Sequence, residues 1–266
     1  MTMKNLRDKI VWITGASSGI GEELAYAFAK EGAFPVLSAR KLEKLEQVKT
    51  NCLKFTSKCW VQPIDLSKIN ELEAVVNSVL EQTGRIDLLI NNAGRSQRSL
   101  AKETPLEIDR SIMELNFFSV VALTKLVLPH MLRNQSGHLV VISSISGKFG
   151  FPWRTAYTAS KHAVQGYFEA LRTELVNDNI PVTIVSPGRI KTDISRHAVT
   201  KDGSSYNLLD NGQANGMPAD ICATRIVKAI KCNRKEILVG RKELLMVYIR
   251  RFIPALYYRM VTKIEN

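Results

Sequence analysis

The chain has 266 residues, of which 45% are hydrophobic and 23% charged, a balance that suits one enzyme-sized α/β body and argues against a disordered chain. Its net charge of +12 is uneven: from Ala223 onward eleven basic residues stand against Glu236, Glu243 and Glu265, so most of the excess belongs to the last sixth of the chain. No aromatic platform or recognition motif accompanies that charge, which argues against a nucleic-acid partner. Neither the four cysteines (Cys52, Cys59, Cys222, Cys232) nor the four histidines show ligand spacing, so no metal site is expected.

Short apolar runs recur along the chain at 9–14, 34–38, 59–64, 85–90, 137–143, 180–186 and 236–240. Most lack the alternation of a half-exposed strand, which fits strands covered on both faces. Helical stretches such as EELAYAFAKEG at 22–32 lie between them, closed by a glycine. Strand and helix taking turns predicts a Rossmann-like, doubly wound parallel sheet of about seven strands with helices on both faces, in a single domain over 1–266. Residues 189–217, polar and rich in Gly and Asn, are too long for a routine connection; they read as a lid over a site or as a surface excursion. Neither end reads as a targeting segment, and the apolar run 244–249 is too short to cross a bilayer, so a cytoplasmic location is expected.

The first strand runs into TGASSGIG at 14–21 and then into helical sequence. A tight glycine turn lets the backbone approach a pyrophosphate, and the helix start presents free N–H groups to it. The spacing of Gly15, Gly19 and Gly21 is GxxxGxG rather than GxGxxG. With NNAG at 91–94, Asn116, Ser144 at a strand end, Tyr157 and Lys161 as YxxxK, and Pro187, Gly188 and Thr192 after the sixth strand, the order resembles the short-chain dehydrogenase/reductase (SDR) family over about 8–195. NNAGRSQRSL, VALTKLVLPHM and TASKHA are similar to the subgroup of members 7 and 7B, whose animal proteins carry an N-terminal membrane segment. The resemblance implies an oxidoreductase that forms homodimers or homotetramers. It also implies a cofactor groove that includes Ser17, Ser18, Ile20, Asp65, Leu66, Asn91, Ala93, Gly94 and Ile190.

Dinucleotide folds that choose NAD place an acid at the end of the second strand, whereas an arginine there accommodates a 2′-phosphate. Here Ser38 and Ala39 are followed by Arg40 and Lys41, so NADP(H) is the expected cofactor, with Ser38 as a further phosphate contact. Asp65 reads equally as a cap.

Residues four apart share a helix face, so Tyr157 and Lys161 can point into one cavity. A free phenol titrates near pH ~10, and a fixed positive charge beside it favours phenolate, which would make its proton useful near neutral pH. Tyr157 then serves as general acid/base while Ser144 hydrogen-bonds the substrate oxygen of a carbonyl/alcohol pair. By resemblance, Lys161 also reaches the ribose, Asn116 holds a water that relays protons to Lys161, and Thr192 with the backbone near Ile190 grips the carboxamide.

Phe149, Phe151 and Trp153 with Arg95, Gln97 and Arg98 read as an apolar wall beside cations, suited to a hydrophobic, lipid-like ketone or aldehyde, or else as core and solvated charge. The basic amphipathic segment 241–266 reads as a peripheral membrane contact, as a flap or subunit contact, or as a solvated helix. A non-catalytic NADP(H)-sensing or membrane-surface protein is the alternative to an enzyme.

Overall fold

The structure, a computed structural model, describes residues 5–262. Lys263 and Glu265, counted above in the basic segment, lie outside the described residues. The elements run β1 (Ile10–Thr14), α1 (Gly19–Lys30), β2 (Phe34–Ser38), α2 (Leu42–Cys52), β3 (Trp60–Val61), α3 (Leu72–Thr83), β4 (Leu88–Asn91), α4 (Leu106–Met113), α5 (Ser119–Arg133), β5 (His138–Ile142), α6 (Thr155–Glu174) and β6 (Val182–Pro187). They continue with β7 (Ile190–Lys191), α7 (Asn211–Ala214), β8 (Met217–Pro218), α8 (Ala219–Lys231), β9 (Glu236–Val239), α9 (Leu245–Phe252) and α10 (Pro254–Val261).

Seven strands form one sheet in the order β3-β2-β1-β4-β5-β6-β9, every pair parallel. The alternating faces of its strands explain why the runs are apolar throughout. Val11 and Ile13 of β1, with Leu88, Ile90, Val140 and Ile142, meet α1 and α8 on one side. Ile10 and Trp12, with Leu89, Leu139 and Val141, meet α3, α5 and α6 on the other. Fully burying one such side chain stabilises the fold by roughly 1.5–3 kcal/mol, so both faces must be apolar for both helix layers to stay in place.

The order reverses between β1 and β4, and the carboxyl ends of the central strands open there into a crevice, the position where doubly wound sheets place their ligands. Only Trp60 and Val61 of the 59–64 run form a regular strand, at the edge of the sheet, although the Gln62 and Ile64 N–H groups still donate to the Leu37 and Ala39 carbonyls at 2.9 and 3.0 Å, on either side of Pro63. Residues 106–133 form one continuous helical run, long and apolar enough by composition to cross a membrane. Its Leu123, Val127 and Met131 are instead packed into the sheet's own core.

Candidate active site

A cavity of about 840 Å³ lies over the carboxyl ends of β1, β2, β4, β5 and β6. At one end the backbone of Gly15 and Gly19 turns with φ of +67° and +59°, values that favour glycine. A Cβ on Gly21 would stand 2.2 Å from the Gly15 carbonyl, so Gly21 is a packing residue behind the turn and does not line the cavity. Asn92 fastens the turn from the β4 side, donating to the carbonyls of Thr14 at 2.9 Å and Gly15 at 3.3 Å. Ser17, Ser18, Gly19 and Ile20 face the cavity, as do Ala93 and Gly94 from the NNAG loop and Pro187, Gly188, Ile190 and Thr192 after β6. A Cβ on Gly94 would press on Asn116 Oδ1 at 3.1 Å, with Lys161 Nζ at 3.5 Å, so the floor there is bare backbone. A glycine cradle at a helix start fits a pyrophosphate-bearing dinucleotide.

Arg40 and Lys41 line the far end with Lys44, Asp65 and Leu66. Asp65 accepts from the Ser67 hydroxyl at 2.7 Å and the Ser67 N–H at 3.1 Å; these bonds, with the charge of Arg40, hold its carboxyl below the usual range. Two expected cofactor contacts do not reach the cavity. The hydroxyl of Ser38 is fully buried, accepting from the Trp12 indole at 2.8 Å and donating to the Gln62 carbonyl at 2.7 Å, so it has nothing left for a phosphate. Asn91 is buried and donates to the Thr124 hydroxyl at 3.0 Å; it ties β4 to α5.

Ser144, Tyr157 and Lys161 meet on the same cavity wall. Ser144 follows β5 and accepts from the Ser146 N–H at 3.1 Å, which fixes its hydroxyl. Lys161 donates to the Ile142 carbonyl at 2.9 Å and sits 5.9 Å from the centre of the Tyr157 ring. Burial pushes its ammonium down to about 8. Asn116 occupies a widened π turn between α4 and α5, bonded through its amide to Arg95 and to the Ser160 hydroxyl at 3.0 Å. It joins the NNAG loop to α6 one residue from Lys161 and has no direct bond to the lysine.

The electrostatics differ from the simple pair that YxxxK suggests. Burial raises the Tyr157 phenol above its ordinary value, against the opposing influence of the Ser144 hydroxyl, Arg98 and Arg154. The two arginines flank Asp210 from the 189–217 segment. Arg98 Nε donates to its carboxylate at 3.1 Å and Arg154 does so at 3.1 Å. Burial, then repulsion from Arg98, pushes Arg154 down to about 10.

The pocket expectation is met only in part. Phe151, Arg95 and Arg98 line the cavity, whereas Phe149 is buried against Tyr257, Trp153 is exposed, and Gln97 caps α6 by accepting from the Ala156 and Tyr157 N–H groups at 2.9 and 3.4 Å. Several residues of the 189–217 segment, among them Thr192, His197 and Asp210, line the cavity, and the base of the segment is closed by the β7/β8 pair. Bonds from the Val199 N–H to Ser96 and from the Arg98 N–H to Val199 stitch the segment to the β4 loop. Arg154, Asp210, Asn92 and the capping role of Gln97 were not signalled by the sequence, apart from the second Asn of NNAG.

Residues 9–203 match the family model for short chain dehydrogenases. The chain belongs to the short-chain dehydrogenase family. Family members similar to it include dehydrogenase/reductase SDR family member 7B of Xenopus tropicalis, 42% identical over 260 residues that cover 95% of this chain and 84% of the relative. An SDR family protein 7-like from Drosophila melanogaster is 41% identical over 98% of this chain and 83% of its own. Among solved structures, a short-chain dehydrogenase from Streptomyces avermitilis superposes with a TM-score of 0.81 at 25% identity, covering 95% of each chain. A short-chain dehydrogenase/reductase from Burkholderia phymatum in complex with NAD gives 0.85 at 24% identity over 98% of this chain and 99% of that one, a likeness of fold.

Proposed function

We propose that the protein is an NADPH-dependent reductase of a hydrophobic, lipid-like ketone or aldehyde. The observation that carries this reading is the meeting of Ser144, Tyr157 and Lys161 on one wall of the cavity whose other end is the glycine turn. The reduced nicotinamide, when bound, supplies hydride to the carbonyl carbon. Tyr157 gives its phenolic proton to the carbonyl oxygen, and the Ser144 hydroxyl donates a hydrogen bond to the same oxygen as negative charge builds there. Burial favours the protonated phenol, the form a proton donor needs. Arg98 and Arg154 favour the phenolate left behind until solvent restores its proton. Arg40, Lys41 and Lys44, with no acid at Ala39, support a 2′-phosphate on the cofactor. Phe151 supports an apolar substrate.

The test is NADPH oxidation across a panel of ketones, aldehydes and acyl-chain carbonyls, with Tyr157→Phe beside wild type. Turnover by wild type, with a loss of about 10²–10⁴-fold in the variant at unchanged NADPH affinity, is expected. NADPH binding without turnover of any carbonyl would favour a cofactor-sensing protein, and equal rates for the two proteins would remove Tyr157 from the chemistry.

A further inference from the structure

Seven of the sixteen exposed large apolar side chains among the described residues fall between Leu245 and Met260, so apolar exposure is concentrated on α9 and α10. Leu245, Tyr248 and Phe252 repeat at i, i+3 and i+7 on one face of α9, the last 75% exposed, and Ile253 and Leu256 continue the apolar surface. The inner face is already docked. Tyr257 is buried against Phe149, and its hydroxyl donates to the Gly150 carbonyl at 2.9 Å. The outward apolar face therefore belongs to a seated helix pair.

A groove between α8, β9 and α9 adjoins this face and shares Tyr248 and Phe252 with it. Its walls carry Lys228, Arg234, Arg250 and Arg251 over a floor that includes Ile237 and Val247. Among the described residues none of these four cations forms an ion pair, whereas Lys231 on the same helix α8 is held by Glu31 at 2.6 Å and Glu236 is taken by Lys148 at 2.6 Å. The groove thus presents unneutralised positive charge beside exposed apolar rings.

We propose that this face seats the protein on an anionic lipid bilayer, the four cations against headgroup phosphates and Leu245, Tyr248 and Phe252 in the acyl boundary. Charge selects the occupant. A second copy of the same face would repel it, and an uncharged apolar partner would leave the guanidinium groups without acceptors. The inner side of the same helix pair reaches the cavity wall, because Phe151 both lines the cavity and packs with Phe149, which Tyr257 covers. The inference stands on the surface alone and is independent of the reaction.

The experiment is co-sedimentation of the full chain with vesicles of phosphatidylcholine alone or mixed with phosphatidylserine. It is run for wild type, Arg251→Ala and Phe252→Glu, with circular dichroism confirming that the exposed substitutions leave the fold intact. Wild type is expected to pellet with the mixed vesicles only, and Arg251→Ala to lower partitioning about five-fold. Phe252→Glu should lower it further, and added salt should weaken all binding. Equal sedimentation with both vesicle types, no sedimentation, or unchanged sedimentation of both variants overturns the proposal. If Phe252→Glu instead splits an oligomer on gel filtration while sedimentation holds, the face is a contact between copies and the lipid assignment is wrong.

Discussion

Arg98 and Asp210 form a buried ion pair across 112 positions of sequence, with Arg98 Nε 3.1 Å from the carboxylate and both side chains almost closed to solvent. Arg154 joins the same carboxylate at 3.1 Å, so one acid serves two cations beside the phenol of Tyr157. Removing one partner of a buried pair strands the other charge. Asp210→Ala is expected to cost about 3–5 kcal/mol of stability, measured by urea unfolding. Arg98→Met removes a charge that lowers the Tyr157 phenol. Reduction requires the protonated phenol, so the alkaline limb of the kcat profile should move to higher pH in that variant.

Arg40 stands at the end of the cavity where an acid would select NAD. Arg40→Ala should weaken NADPH binding roughly 10- to 100-fold, the range of a lost hydrogen bond to a charged group, with NADH affinity nearly unchanged. Fluorescence titration of both cofactors measures the ratio, and an unaltered ratio would show that Arg40 does not meet the 2′-phosphate.

Gln97 accepts from the first N–H groups of α6, the helix that carries Tyr157 and Lys161. Gln97→Ala leaves buried donors unpaired and is expected to cost about 1–3 kcal/mol. As a positioning residue it should lower kcat more than it raises KM, and Gln97→Glu, which keeps the acceptor, should restore part of kcat.

His138 opens β5 inside the sheet, its Nε2 2.9 Å from the Thr183 hydroxyl, and burial pushes its imidazole down to about 4 from 6.5. On acidification the unfolded chain takes up the proton first, so this stability is present above pH 6.5 and lost as pH falls toward 4. The loss amounts to about 3 kcal/mol. His138→Gln should unfold with a flatter pH dependence across that window, read from the difference between the two urea midpoints.

What the sequence disclosed followed from local rules. Strands covered on both faces must be apolar throughout, so β1, β4, β5 and β6 stood out as runs, while β3, at the edge of the sheet, is a regular strand over two residues only. Gly15, Gly19, Tyr157 and Lys161 were legible because a turn or one helix face fixes their spacing. The meeting of Arg98 with Asp210 was not, since nothing local ties a loop after β4 to a residue far beyond it. Nor could spacing show that Ser38 and Asn91 spend their hydrogen bonds inward, on Gln62 and Thr124. The surroundings of the phenol were only partly legible for a related reason: YxxxK shows the nearest cation in sequence, whereas the fold also brings Arg98 and Arg154 from elsewhere and buries the ring.

The parallel pairing of Ile190 with Met217 and of Lys191 with Pro218 brings the two ends of the 189–217 segment together at a single base. A stretch of chain that starts and finishes at one point spans no distance, so adding or deleting residues at its crest costs little closure entropy. Variation can accumulate there along one wall of the cavity while Tyr157 and its helix keep their places.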